Sequence, residues 1–232
     1  WLDRLPQGVA RRTLAMRLRL KAARLAGEPS QALDTALLLI KHRAFTSEAS
    51  ESMIRSLVFD LISKTHELGQ MQRLWSRLGE AQRQSTELAI QAAQHWLSLK
   101  GDPVVARSWL KPIWSRWQAT PQSLSVSQQL KLTKVLDRSL TGQDTAEERE
   151  WLMLIETAQK ANPREPLLQY LAGRLCQKRQ LWGKAQVLLA QAAPVLGDPG
   201  LRRQAWRSLA ELAEQREDLQ AAVNALKKAA ME

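Results

Sequence analysis

The sequence predicts an all-α protein, on three observations. Apolar residues recur at helical spacing, and the alternation of β-branched residues that marks strands is nearly absent. Ala, Leu, Gln, Arg and Glu dominate the composition, all of them tolerant of helix or strong helix formers. The ten Gly and nine Pro concentrate between apolar stretches. The chain has 232 residues, 44% hydrophobic and 25% charged, a globular composition that excludes a disordered chain. With Cys176 as its one cysteine it holds no intramolecular disulfide framework and no four-thiolate zinc site. The densest apolar stretch, Ala36 to Ile40, stops at Lys41, far short of a membrane span. The chain begins at Trp1 without a signal peptide and reads as part of something longer.

About a dozen helical segments follow in order. The first, 9–26, breaks at Gly27-Glu28-Pro29 and resumes over 30–42. The next runs 47–67, and a short helix then ends at Gly79. Residues 84–99 end at Lys100-Gly101-Asp102-Pro103, where Asp102 can cap the next helix and Pro103 fits its first turn. That helix runs to Gln118. Helices at 123–140 and 144–160 flank Thr141-Gly142-Gln143-Asp144, and Asn162-Pro163 ends the second. Segments 164–178, 181–194, 201–215 and 218–231 complete the chain.

Paired helices of similar length call for a repeat search. A small residue on the first helix of a pair, then small–large–small residues at offsets of 4 and 3 on the second, marks tetratricopeptide repeats. Gly173 with Ala185, Leu189 and Ala192 is the best copy; Ala210 with Ala222, Leu226 and Ala229 repeats it 37 residues on. Ala106-Leu110-Ile113 and Trp151-Ile155-Ala158 keep the offsets, and Met71-Trp75-Leu78 and Ala32-Ala36-Leu39 are weaker copies. The anchors are spaced by 39, 35, 45, 34 and 37 residues, near the ~34-residue period. The reading is one repeat domain over 1–232, a right-handed α-solenoid of about six helix pairs; an irregular helical bundle is the alternative.

No pattern in the chain calls for catalysis. None of His42, His66 and His95 lies three or four residues from another, no HExxH occurs, and the phosphate-binding and nucleophile-elbow motifs are absent. A lone His or Cys can still ligate haem iron, so His42, His66, His95 and Cys176 stand as candidate ligands beside their plainer roles as helix residues and core filling. Asp144 and the acidic run 147–150 read as a capped, solvated first turn. Trp109 and Trp117 fall near one helix face with Trp114 off it, a core cluster or an aromatic patch, and Trp182 reads as a wedge between hairpins.

Charge is more informative. The chain carries +11, and residues 1–43 hold nine basic against three acidic side chains, over half of that excess. Counting back from Ala32 puts Arg17, Lys21 and Arg24 on one face, at i, i+4 and i+7, toward the concave side of a repeat stack. The same count adds Lys64, His95, Arg174 and Lys178, with Asp60 and Glu211 also inward. A solvated basic face is the plain alternative. A pI near 10.3 raises nucleic-acid binding, but no side chains recur at fixed repeat positions to read bases, so nucleic acid is not expected.

At Leu175-Cys176-Gln177-Lys178-Arg179-Gln180-Leu181-Trp182-Gly183-Lys184-Ala185 the chain resembles the tetratricopeptide domain of HemY-type haem-biosynthesis-associated inner-membrane proteins. Leu5-Pro6, the run Arg11 to Leu18, and Lys41-His42-Arg43-Ala44-Phe45 resemble the same family, while about 70–160 matches only as generic repeats. The flavin-dependent protoporphyrinogen oxidases that share the label are not implied, since their glycine motif is missing. The resemblance implies a bacterial inner-membrane protein anchored by a preceding N-terminal region, with this domain on the cytoplasmic face. It also implies a non-enzymatic role near porphyrin synthesis, as a scaffold for pathway enzymes or as a carrier of porphyrin or haem, with no resident cofactor or metal. The basic segment near the N-terminus would then meet an anionic membrane surface.

Overall fold

The computed structural model describes residues 13–42 and 47–232. Among them are thirteen α-helices, one 3-10 turn and no strand, so the described chain is all-α. They gather into two compact units, Trp1–Gly101 and Asp102–Glu232. The first holds α1 (Thr13–Leu25), α2 (Pro29–Lys41), α3 (Ser47–Ser63), α4 (Leu68–Arg77), α5 (Glu80–Arg83) and α6 (Thr86–Ser98). The second holds α7 (Pro103–Ala119), the 3-10 turn (Pro121–Ser123), α8 (Val126–Ser139) and α9 (Ala146–Ala161). Its last four helices are α10 (Pro166–Lys178), α11 (Trp182–Ala192), α12 (Pro199–Glu214) and α13 (Leu219–Ala230). Every helix expected from the sequence is present; the start of the first, 9–12, lies outside the described residues.

Helix starts follow capping chemistry. Asp102 accepts a hydrogen bond from the Val104 amide at 2.9 Å with Pro103 as the first helical residue, as its sequence predicts. Ser125 and Gln128 form a reciprocal capping box on α8. Helix ends use a device less visible in sequence. Gly27, Lys100, Gln180 and Glu217 all take positive φ, between 60° and 70°. Just after each, an amide reaches back five residues: Glu28 to Ala23, Gly101 to Trp96, Leu181 to Cys176, Asp218 to Ala213. These are Schellman turns, and three of the four use a non-glycine residue. They close the hairpins α1–α2, α10–α11 and α12–α13, and the α6 end.

Within the first unit α2 packs on both α1 and α3, and α6 packs on α3, α4 and α5. Within the second, α10 is central, touching α8, α9, α11 and α12, while α13 lies on α12. The small and large residues picked out at these spacings in the sequence fall at packing positions. Ala32, Ala36, Leu39, Met71, Leu78, Ala106, Leu110, Ile113, Trp151, Ile155, Ala158, Ala185, Leu189 and Ala192 are all buried. Leu226 departs from the pattern at 46% exposure, because α13 covers α12 with Ala222, Ala225 and Ala229 alone.

Close approach explains the small residues. A methyl group at Gly173 would sit 2.8 Å from Leu189 Cγ and 3.2 Å from Leu188 Cβ, so α10 and α11 meet without room for a side chain. Ala185 is fully buried in the same hairpin. Ala185→Trp should therefore overpack the second unit and lower its stability by about 1–3 kcal/mol or more. Equal melting of this variant and the wild type, followed by circular dichroism, would show that the repeat register is misassigned.

Three local expectations need correction. Trp114 is not off the buried face of α7 but at its centre, nearly inaccessible, edge-on to Trp117 at 5.4 Å and to Trp151 at 5.9 Å between ring centroids. Trp182 is not a wedge: as the first residue of α11 it stays 36% exposed. The acidic run after Asp144 is capped as expected, by Thr145, and Asp144 is exposed, but it is not solvated throughout, because Glu148 is 1% exposed.

Candidate functional site

Helix α1 places Arg17, Lys21 and Arg24 together along one cleft of about 720 Å³, with Leu20, Leu25 and Met53 as its apolar lining. The α1 residues share it because i, i+4 and i+7 fall within about 60° of the helix circumference. Met53 comes from α3. Met16, Leu20 and Ala23 form a buried row along the flank of α1 that holds the helix to the unit, with Leu20 also at the edge of the cleft. Arg17, Lys21 and Arg24 are exposed, and no described carboxylate pairs with Lys21 or Arg24. Three cations over an apolar surface, in a cleft within the ~300–1,000 Å³ range of ligand sites, suit an anion with a hydrophobic body. Arg can take a carboxylate with two parallel hydrogen bonds, and Lys takes it as a point charge.

The remaining sequence candidates do not line this cleft. Lys64 follows α3 and is exposed. His95 is half-buried on α6, with Nε2 2.7 Å from the Thr65 carbonyl oxygen. His42 is the exposed C-cap of α2, and exposed His66 has its amide 3.4 Å from Gln70 Oε1. Cys176 is fully buried on α10, and burial pushes its thiol up to about 11, so it is held as the neutral thiol. Among the described residues no three His, Cys, Asp or Glu side chains are placed to hold a metal.

Arg174 and Lys178 belong to a polar network inside the second unit. The Asp137 carboxylate accepts from the Tyr170 hydroxyl at 2.8 Å, from Arg174 Nε at 3.1 Å and from Lys178 Nζ at 3.2 Å. Lys178 also donates to the Leu140 carbonyl at 2.7 Å. Arg174 Nη1 donates to Gln177 Oε1 at 2.8 Å and to Ser208 Oγ at 2.7 Å, and Gln177 Nε2 donates to Glu211 at 2.8 Å. Burial pushes the Asp137 carboxyl up, but the Lys178 and Arg174 cations and the Tyr170 hydroxyl outweigh it and leave its pKa lowered. Lys178 is committed to tying α10 to the end of α8, and Arg174 to tying α10 to both α8 and α12.

Sequence reasoning missed a second buried cluster beside this network. Arg107 on α7, 2% exposed, donates Nε to Glu147 at 2.7 Å, a second guanidinium nitrogen to the same carboxylate, and Nη1 to the Ser139 carbonyl. The buried Glu148 carboxylate lies 3.3 Å from Nη1 and accepts from the Thr141 amide and hydroxyl and the Gly142 amide. A signal was available: Arg107, Leu110, Trp114 and Trp117 lie at i, i+3, i+7 and i+10, which puts Arg107 on the core face of α7. These charges organise the α8–α9 turn rather than face a ligand, so the cleft on α1 remains the candidate site.

A scan against protein-family models and a search of curated proteins return no match for this chain.

Proposed function

We propose that the chain is a non-enzymatic helical-repeat scaffold that takes an anionic partner into the α1–α3 cleft. The observation that carries this reading is the convergence of Arg17, Lys21 and Arg24 on one cleft with an apolar lining. The recurring hairpins, with their small-residue contacts and Schellman turns, support a tetratricopeptide-like solenoid of about six pairs as the frame. On the resemblance of Leu175–Ala185 and of the N-terminal motifs, the setting is that of a HemY-type protein. In that setting the domain serves late haem biosynthesis on the cytoplasmic side of a bacterial inner membrane, and its partners are acidic segments of pathway enzymes.

A second reading rests on the cleft's size and apolar floor. A porphyrin would place its propionates on the three cations and its ring on Leu20, Leu25 and Met53. His42, His66, His95 and Cys176 lie outside the lining, so iron ligation by any of them has no support in this cleft. Haemin titration decides between the two. A saturable Soret shift that Arg17→Glu, Lys21→Glu, Arg24→Glu abolishes makes the site a tetrapyrrole carrier. The scaffold reading predicts no saturable shift, together with capture of a protein from solubilised membranes that the same variant fails to capture.

A further inference from the structure

Helix α1 is apolar on two opposite faces. Met16, Leu20 and Ala23 form its buried row. At about 100° per residue, Leu14, Leu18 and Leu25 fall within ~40° of one another and point away from that row. They are 71%, 50% and 81% exposed, so three leucines in line face solvent. A surface helix normally turns a polar face outward, and isolated exposed leucines need no explanation, but an aligned row does. Beside the row run Arg17, Lys21 and Arg24, with Lys21 nearest to it. The described helix carries no acidic residue, its first turn included.

We propose that the Leu14-Leu18-Leu25 face of α1 lies on an anionic lipid bilayer, the leucines entering the headgroup region while Arg17, Lys21 and Arg24 meet lipid phosphates. Charge complementarity selects this occupant. An apolar strip with cations beside it, on a helix that carries no acidic residue of its own, is the pattern of helices that lie in a membrane interface. A second copy of this chain would bring its own +11 against the cationic row. The thirteen-residue helix, about 20 Å long, lies flat and does not span. Leu14 and Leu18 are outside the lining of the basic cleft, so they report on the lipid contact separately from whatever anion the cleft binds.

The test is co-sedimentation of the 232-residue chain with vesicles of phosphatidylcholine containing phosphatidylglycerol, and with phosphatidylcholine alone, at low ionic strength. Binding to the mixed vesicles should exceed binding to the neutral ones at least tenfold. Leu14→Gln with Leu18→Gln should lower the anionic-vesicle affinity more than tenfold while circular dichroism stays unchanged and cleft binding of haemin or captured protein persists. Undiminished binding by that variant would overturn the proposal and leave only diffuse electrostatic attraction. Equal binding to both vesicle types, or to neither, would overturn it as well. If the leucine variant instead loses a captured protein and wild type ignores vesicles, the row belongs to a protein partner. A folding defect in the glutamine pair is met by Leu14→Ala with Leu18→Ala, which keeps helix propensity and should still lose vesicle affinity.

Discussion

Replacing Glu148 by alanine should lower the stability of the unit Asp102–Glu232 by about 3–5 kcal/mol. The carboxylate is almost fully buried and accepts three hydrogen bonds of 2.7–2.8 Å from Thr141 and Gly142, in addition to facing Arg107. Alanine orphans those donors at about 1–3 kcal/mol for each one left buried, and leaves Arg107 with Glu147 as its one remaining carboxylate. It also releases the turn at Gly142, whose φ of 83° no other residue type adopts easily. Glu148→Gln keeps shape and one acceptor oxygen and should lose less. Urea unfolding followed by circular dichroism orders the three proteins; an alanine variant as stable as wild type would mean the cluster does not organise the turn.

The same groups set the acid limit of this unit. Burial pushes Glu148 up, but the Thr141 and Gly142 donors and Arg107 outweigh it, so its pKa, like that of Asp137, is lowered in the folded chain. A lowered carboxyl stabilises the fold fully above its ordinary value, here 4.5 for Glu148 and 3.8 for Asp137. That contribution disappears as pH falls from there through the folded values. Glu148→Gln should therefore show a shallower loss of stability below about pH 4.5 than wild type.

Much of the fold is legible because helices announce themselves over many residues. Strong periodicity and local capping signals located α7 from Asp102-Pro103 and α10 to α13 from their apolar rows. Helix α5 was missed because four residues carry no period. The Schellman turns at Lys100, Gln180 and Glu217 were missed because left-handed conformation is read from glycine, and these positions take it without one. Their cost, about 1–2 kcal/mol each, is offset by the hairpin packing that follows.

The candidate site was half legible. Arg17, Lys21 and Arg24 could be grouped because a helix face depends only on local spacing, whereas Met53 enters from another helix through tertiary packing. Arg174 and Lys178 were read as inward cations from register alone. Their partner Asp137 sits on α8, and nothing local reveals that it meets them. Arg107 was legible in principle from its place on the Leu110–Trp114 row, but a charged residue on a core face gains its meaning only from the carboxylates opposite.

Reversing the cleft is the second large effect and the most direct test of the account. Arg17→Glu, Lys21→Glu, Arg24→Glu removes three charge-assisted contacts and sets three carboxylates against an anionic partner. At about 1 kcal/mol per exposed contact, the loss is near a hundredfold, ~2.7 kcal/mol. Helicity should survive, because all three side chains are exposed and like-charge repulsion among cations is exchanged for like-charge repulsion among carboxylates. The measurement is affinity for the captured protein, or for haemin if haemin binds, in wild type and variant, with circular dichroism as the control. Retained helicity with binding reduced about a hundredfold is expected. Retained helicity with unchanged affinity for every ligand would contradict it and leave the α1 cations as a solvated face.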